Sequence, residues 1–244
     1  MKERVTISVD DKVIKLVDSL VGKNNLTNRS QAIESVLLNH FSASGQLKAV
    51  ILAGKRPSQE SIKETLAHLE KIGVSELVIA GGKNNEAVFS IVEANQNYSK
   101  KATFLKENMN LGTAGAIKSA ENMLHGTFFV IYSDINYSLD LNVMLGSHYS
   151  SKKSVTMAVT IPGKKSDLVD KIRVSGNSVA SFEYRSKAPT KIQNAGIFIF
   201  EPKALDYFPT KGTLEDDVLP QMAQAGEVGM FLFDTNWKHT GLNK

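Results

Sequence analysis

The chain has 244 residues, 42% of them hydrophobic, no cysteine and a formal net charge of +4. That length buries one sizeable core plus a small extra module, and the missing cysteine excludes disulfides, thiolate metal sites and a cysteine nucleophile. No stretch approaches the roughly 18 apolar residues of a membrane helix and no signal-peptide order opens the chain, so a cytoplasmic protein without a membrane partner is expected.

The first element is a strand, in which Val5, Ile7 and Val9 alternate with Arg4, Thr6 and Ser8. Asp10 or Asp11 can cap a first helix carrying Val13, Val17 and Leu20, which Gly22 and the Asn24, Asn25 pair close. Asn28 with Gln31 three residues on reads as a capping box for a second helix whose apolar face is Ile33, Val36, Leu37 and Phe41. About forty residues cannot bury three apolar faces alone, so the lone strand calls for a symmetry mate. Over residues 1–47, six basic against five acidic side chains leave only +1, so any nucleic-acid reading must rest on pattern rather than charge.

Residues 43–47 read as a linker between a module at 1–42 and a domain at 48–244. From Lys48 onward, apolar strands at 49–52, 77–80, 102–105 and 128–132 alternate with helices around Ile62 to Ile72, 87–92 and 113–123, the rhythm of a parallel α/β sheet. Later strands are expected at 155–161, 171–174, 197–200 and 230–233, with a helix near 214–225.

The segment KERVTISVDDKVIKLVDSLVGKNNLTNRSQAIESVLLNHF resembles a ribbon-helix-helix domain over its whole length. That resemblance implies a homodimer whose paired strands enter the major groove of double-stranded DNA. Arg4, Thr6 and Ser8 would face base edges, with Arg4 the most discriminating, while Asn28, Arg29 and Ser30 would offer backbone donors to a phosphate. The plainer alternative is a solvated strand face on a dimerisation arm. Whether dimers pair further stays open.

The rest of the chain resembles the catalytic domain of sugar-1-phosphate nucleotidyltransferases, through KAVILAG, LGTAGAIKSAE, FFVIYSDI and NAGIFIFEP. The fold this implies is a Rossmann-like mixed-sheet domain of the α/β class, following the small module. The resemblance makes Asp134 a metal ligand, sets Gly112, Thr113 and Gly115 against a nucleotide, and puts Asn194 and Gly196 beside a sugar. Three departures follow from it. The long triphosphate loop is cut to Gly54, Lys55 and Arg56; His239 in WKHTG stands where the family has a second metal-binding Asp; and Tyr184 with Arg185 in SFEYR replaces a Glu and Lys pair. The cation survives at Arg185, but the carboxylate that would grip a sugar hydroxyl does not. Positioning and charge neutralisation carry nucleotidyl transfer, and magnesium prefers oxygen, so a weakly bound Mg2+ or another divalent metal is expected.

Each residue also has a bland reading. Asp134 could cap a turn, His239 could simply pack beside Trp237, and the Gly81, Gly82 pair could be a turn. Glu215, Asp216 and Asp217 read as an N-terminal helical turn favoured by the macrodipole, and His40, His68, His125 and His148 receive no role. The leading expectation is a transcriptional regulator whose second domain has lost most catalysis and senses a nucleotide or nucleotide-sugar. The alternatives are a working transferase with a DNA-binding or dimerisation arm, and an assembly scaffold binding neither.

Overall fold

A computed structural model describes residues 6–22, 26–43, 47–53, 57–81, 85–105, 109–161, 169–234 and 236–240, with backbone alone at 38–43 and 85. By its internal contacts the chain divides into two units, Met1–Ser42 and Ala43–Lys244.

In the first unit, α1 (Asp11–Asp18) begins where the Asp10 carboxylate accepts from Lys12 N at 2.8 Å, satisfying one of the donors that a helix start leaves without a partner. At α2 (Arg29–Ala43), Asn28 Oδ1 accepts from Gln31 N at 3.0 Å. Gln31 Oε1 reaches back one residue further than a standard capping box, to Thr27 N at 2.7 Å and Thr27 Oγ1 at 2.8 Å. Arg29 grips Asp18 with Nε and Nη2 at 2.5 and 2.7 Å, and this bidentate hydrogen bond holds the Asp18 carboxyl below its usual range. The pair is fully exposed, so it orients the two helices more than it stabilises them.

Residues 6–9, expected to be a strand, make no ladder with any other described residue of the chain. Ile7 (58% exposed), Leu16 (67%), Val13, Val36 and Leu37 face outward, whereas Val17 and Ala32 are buried. Among the described residues of the first unit, parts of the apolar faces read from the sequence are therefore exposed.

The second unit is built on a nine-stranded mixed sheet of order β3-β2-β1-β4-β9-β6-β10-β8-β7. Its strands are β1 (Lys48–Leu52), β2 (Glu76–Ala80), β3 (Ala102–Phe104), β4 (Phe128–Tyr132), β6 (Val155–Thr160), β7 (Lys171–Ser175), β8 (Ser178–Glu183), β9 (Gln193–Phe200) and β10 (Val228–Phe233). Strands β3, β2, β1 and β4 are parallel; β9 runs antiparallel between β4 and β6, and β10 returns parallel to β6. Helices α3 (Gln59–Lys71), α4 (Asn85–Glu93) and α6 (Leu141–Ser151) belong to one half of the second unit's core, together with Ala49, Ile51, Leu77 and Ile131. In the other half, α5 (Gly112–Lys118) and α7 (Leu219–Gln224) pack with Val50, Leu52, Val78 and Val130. Neighbouring residues of one strand thus serve opposite faces, and strands covered on both sides read as unbroken apolar runs.

The mixed sheet expected from the resemblance is present, with the parallel strand–helix rhythm read from the sequence running through β3, β2, β1 and β4 and a further parallel pair at β6 and β10. The helix expected at 113–123 ends at Lys118 and continues as a short 3-10 turn, Glu121–Met123, and the one expected at 214–225 opens as a π-helical turn, Leu214–Val218, before α7. Not anticipated were α6, β8, the 3-10 turn Pro202–Tyr207, and a two-stranded ribbon of β5 (Ile135–Tyr137) with β11 (Trp237–His239). Among the described residues no helix is long and apolar enough to cross a membrane.

Candidate functional site

Strand β4 ends at Tyr132, and the next two residues, Ser133 and Asp134, form the turn into β5. Ser133 N donates to Leu52 O at 3.0 Å and Ser133 O accepts from Ser58 N, the N-cap of α3, which fixes this turn against the exit of β1. Gly54, Lys55 and Arg56, expected to be what is left of a triphosphate loop, lie outside the described residues, as does Arg4 in the first unit.

The antiparallel ribbon sets His239 opposite Ile135. Thr240 N and Oγ1 both donate to Asp134 O, at 2.8 and 2.9 Å, and Trp237 Nε1 donates to Ala195 O at 3.0 Å, so β11 is tied to the Asp134 turn and to β9 together. His239 Nε2 consequently stands 3.8 Å from Asp134 Oδ2, beyond hydrogen-bond reach. Asp134 Oδ1 is buried without a partner. Burial raises the Asp134 carboxyl and the neighbouring His239 partly offsets the shift. An unsatisfied buried acceptor costs about 1–3 kcal/mol, so a simple turn-capping role explains this side chain poorly.

The LGTAGA segment is fixed by partners inside the unit. Ala114 N and Gly115 N share Gly212 O at 3.0 and 3.4 Å, and Thr113 Oγ1 accepts from Leu214 N at 2.8 Å while donating to Glu215 Oε2 at 3.4 Å. A Cβ on Gly112 would lie 2.2 Å from Gly212 O, and one on Gly115 2.6 Å from Thr210 O. Close packing on the 209–213 segment already requires these two glycines. Gly81 has the same kind of reason, since a Cβ there would meet Ala53 O at 2.8 Å.

On β9, Asn194 Oδ1 accepts from Gly196 N at 3.0 Å, and Gly196, with φ +73°, lies against the Tyr132 ring. Arg185, also in the left-handed region at φ +50°, is exposed and sets its guanidinium 5.1 Å from the Tyr184 ring centroid.

Two buried carboxyls stand among these residues, and sequence reasoning missed both. Glu215, read as part of an acidic N-terminal helical turn, is only 8% exposed and accepts from Tyr132 OH as well as Thr113. Desolvation raises its carboxyl and drives the Tyr132 phenol well above its ordinary value. Asp170 is 1% exposed; its Oδ2 accepts from Gln193 Nε2 at 2.5 Å and Asn194 N at 3.0 Å, while Oδ1 is buried without a partner. Burial pushes Asp170 up to about 7, with the Asn194 amide opposing and Glu215 adding to the rise. Only Glu215 had a signal available, as the first member of its acidic run and the one an inward-facing Leu214 and Val218 would carry towards the core.

A large mixed sheet with the Asp134 turn after β4 and a glycine-dependent loop at 111–115 is the arrangement of a nucleotidyltransferase-type domain. The nucleotidyl transferase family model matches residues 40–244, so the chain belongs to that family, and the ribbon-helix-helix protein model of the copG family matches residues 3–40 at its N-terminus. The chain is 28% identical over 211 residues to a mannose-1-phosphate guanylyltransferase catalytic subunit beta from Dictyostelium discoideum, covering 82% of this chain and 58% of that protein. It is 29% identical over 212 residues to a mannose-1-phosphate guanyltransferase from Schizosaccharomyces pombe, covering 81% and 56%. The chain thus spans a little over half the length of these curated relatives. In fold it is similar to HddC from Yersinia pseudotuberculosis complexed with GMP-PN, at TM-score 0.64 and 22% identity over 80% of this chain and 93% of that one. It is likewise similar to a putative glucose-1-phosphate thymidylyltransferase from Bacillus anthracis in complex with a sucrose, at TM-score 0.67 and 14% identity over 80% and 90%.

Members of this family usually use a divalent metal. The donors present fit one in part. The orphaned Asp134 oxygen and the His239 imidazole 3.8 Å from its carboxylate are two adjacent donors. No group of three or more His, Cys, Asp or Glu side chains suited to a metal gathers among the described residues.

Proposed function

We propose that this is a cytoplasmic, homodimeric DNA-binding regulator whose nucleotidyltransferase-like domain binds a nucleotide or nucleotide-sugar and has lost most of its catalysis. The observation that carries the reading is the union of a copG-type module at residues 3–40 with a transferase domain whose retained Asp134 faces an imidazole. In the first unit, the uncovered faces of Ile7, Leu16 and Leu37 supply the apolar surface for pairing with a second copy. The paired strands then present Arg4, Thr6 and Ser8 to the major groove. Because the Arg29 side chain is engaged by Asp18, a phosphate at the start of α2 is left to the backbone donors around Asn28 and Ser30.

In the second unit, Thr113 and the glycines hold the shape of the nucleotide loop, Asn194 and Gly196 border the sugar, and Asp134 and His239 hold a divalent ion. A divalent ion held there would supply neutralisation of phosphate charge. A neutral imidazole in place of a second carboxylate weakens the hold on magnesium and hence the electrostatic support that transfer needs. The test is titration of the chain's own upstream DNA at low salt. Specific binding is expected, falling by about 1–3 kcal/mol in Arg4→Ala. An equal preference for the operator in wild type and variant would contradict the strand-face assignment.

The second reading is a working sugar-1-phosphate nucleotidyltransferase with the same arm, favoured by the retained Asp134 and its unpartnered oxygen. We expect little or no pyrophosphate release from any nucleoside triphosphate with mannose 1-phosphate or other sugar 1-phosphates, under magnesium or manganese. Robust release that vanishes in Asp134→Ala would establish the enzyme reading instead.

A further inference from the structure

The carboxylate expected to grip a sugar hydroxyl is missing at Tyr184, yet a different one is buried close by in the chain's hydrogen-bond network. Ser186 N donates to Val169 O at 2.8 Å and Thr190 N to Asp170 O at 2.9 Å, so the segment just after Tyr184 and Arg185 clasps the backbone that carries Asp170. The Asp170 side chain spends one oxygen on β9, through Gln193 and the Asn194 amide, and keeps the other without a partner. Asn194 is oriented by its own turn: Oδ1 accepts from Gly196 N, so Nδ2 is the outward end, and it donates no hydrogen bond among the described residues. An unused acceptor and an unused donor are therefore carried by two residues already in contact, at the start of the sugar strand.

We propose that Asp170 is a specificity-determining residue of this site, a relocated carboxylate that together with Asn194 reads a sugar-ring hydroxyl. A hydroxyl donates and accepts at once, so it satisfies both unused groups, whereas a bare phosphate or carboxylate satisfies only the donor. The site thereby favours a nucleotide carrying a neutral, hydroxyl-rich hexose over the free nucleotide. Oδ1 is closed off from solvent, so contact with a sugar requires the packing around it to open. Burial first, with a smaller contribution from Glu215, lifts the Asp170 carboxyl to about 7.

This inference rests on the nucleotide-sugar reading, and the experiment separates the two. Binding of GDP, GDP-mannose, UDP and UDP-glucose to the full chain is measured by calorimetry in wild type and in Asp170→Asn. The wild type is expected to bind a nucleotide-hexose more tightly than its free diphosphate. In the variant that gain falls about tenfold or more while diphosphate affinity stays within about twofold. Asp170→Ser is read the same way should the amide fail to fold, and adding Tyr184→Glu to Asp170→Asn is expected to restore the gain. A gain that persists, or a parallel loss of diphosphate and nucleotide-hexose binding, overturns the role of Asp170. Failure of the wild type to bind any of the four overturns the nucleotide reading itself.

Discussion

At position 112 two constraints coincide: φ is +74°, and a Cβ would stand 2.2 Å from a backbone oxygen of Gly212. Gly22 has the first constraint alone, with φ +84° and nothing within 4 Å of its missing Cβ. Backbone strain at a left-handed residue costs about 1–2 kcal/mol, so Gly22→Ala is expected to lower stability by that much, whereas Gly112→Ala, which must also displace backbone, is expected to cost about 3 kcal/mol or more. Denaturant unfolding compares the two, and equal costs would mean that the 209–213 segment yields freely. The contrast also explains what the sequence could and could not convey at this scale. Gly112 and Gly115 stand out in LGTAGA whatever their purpose, so their positions were legible while their packing against Thr210 and Gly212 was not. Asp170 had no local pattern at all, because its burial is created by Gln193 and Asn194, more than twenty residues away in the chain.

The elements with covered faces were read with most success, because β4 is apolar, β1 and β2 are apolar after their charged first residues, and α3 carries Ile62, Leu66 and Leu69 at helical spacing. Harder to see were β5 and β11, three residues each, whose existence depends on pairing with one another across a hundred residues. Helix α6 was missed for a related reason: LNVMLGSHYSS has little amphipathic contrast, since its polar His148 is buried. That histidine, given no role from sequence, ties α6 to the sheet. Nδ1 meets Thr156 Oγ1 at 2.8 Å and Nε2 meets Glu201 Oε1 at 3.0 Å, where Thr127 Oγ1 also donates at 2.9 Å. These partners, His148 first, hold the Glu201 carboxyl below its usual range. A depressed carboxyl contributes stability that is present above its unfolded value near 4.5 and is lost as pH falls through the lower folded value. Glu201→Gln is therefore expected to lower stability by about 1–3 kcal/mol at pH 7, with the gap to wild type closing below pH ~4. A gap that stays constant down to pH ~3 would show that the carboxylate charge plays no part in the tie.

For the whole molecule, the organisation was more legible than the chemistry. A strand with two capped helices, followed by alternating strands and helices, announces a small module and an α/β domain, and the family matches at 3–40 and 40–244 agree with that order. The proposed balance between sensing and turnover turns instead on donor geometry around one carboxylate, where His239 Nε2 stands 3.8 Å from Asp134 Oδ2. An effector changes DNA affinity only by binding the DNA-competent and incompetent arrangements unequally. The most direct measurement is therefore the affinity of the full-length chain for its own upstream DNA at low salt, with and without saturating nucleotide-hexose. Specific binding that shifts about fivefold or more when the ligand is added is the predicted result. Absence of specific binding under these conditions, or binding that the ligand leaves unchanged, would contradict the account.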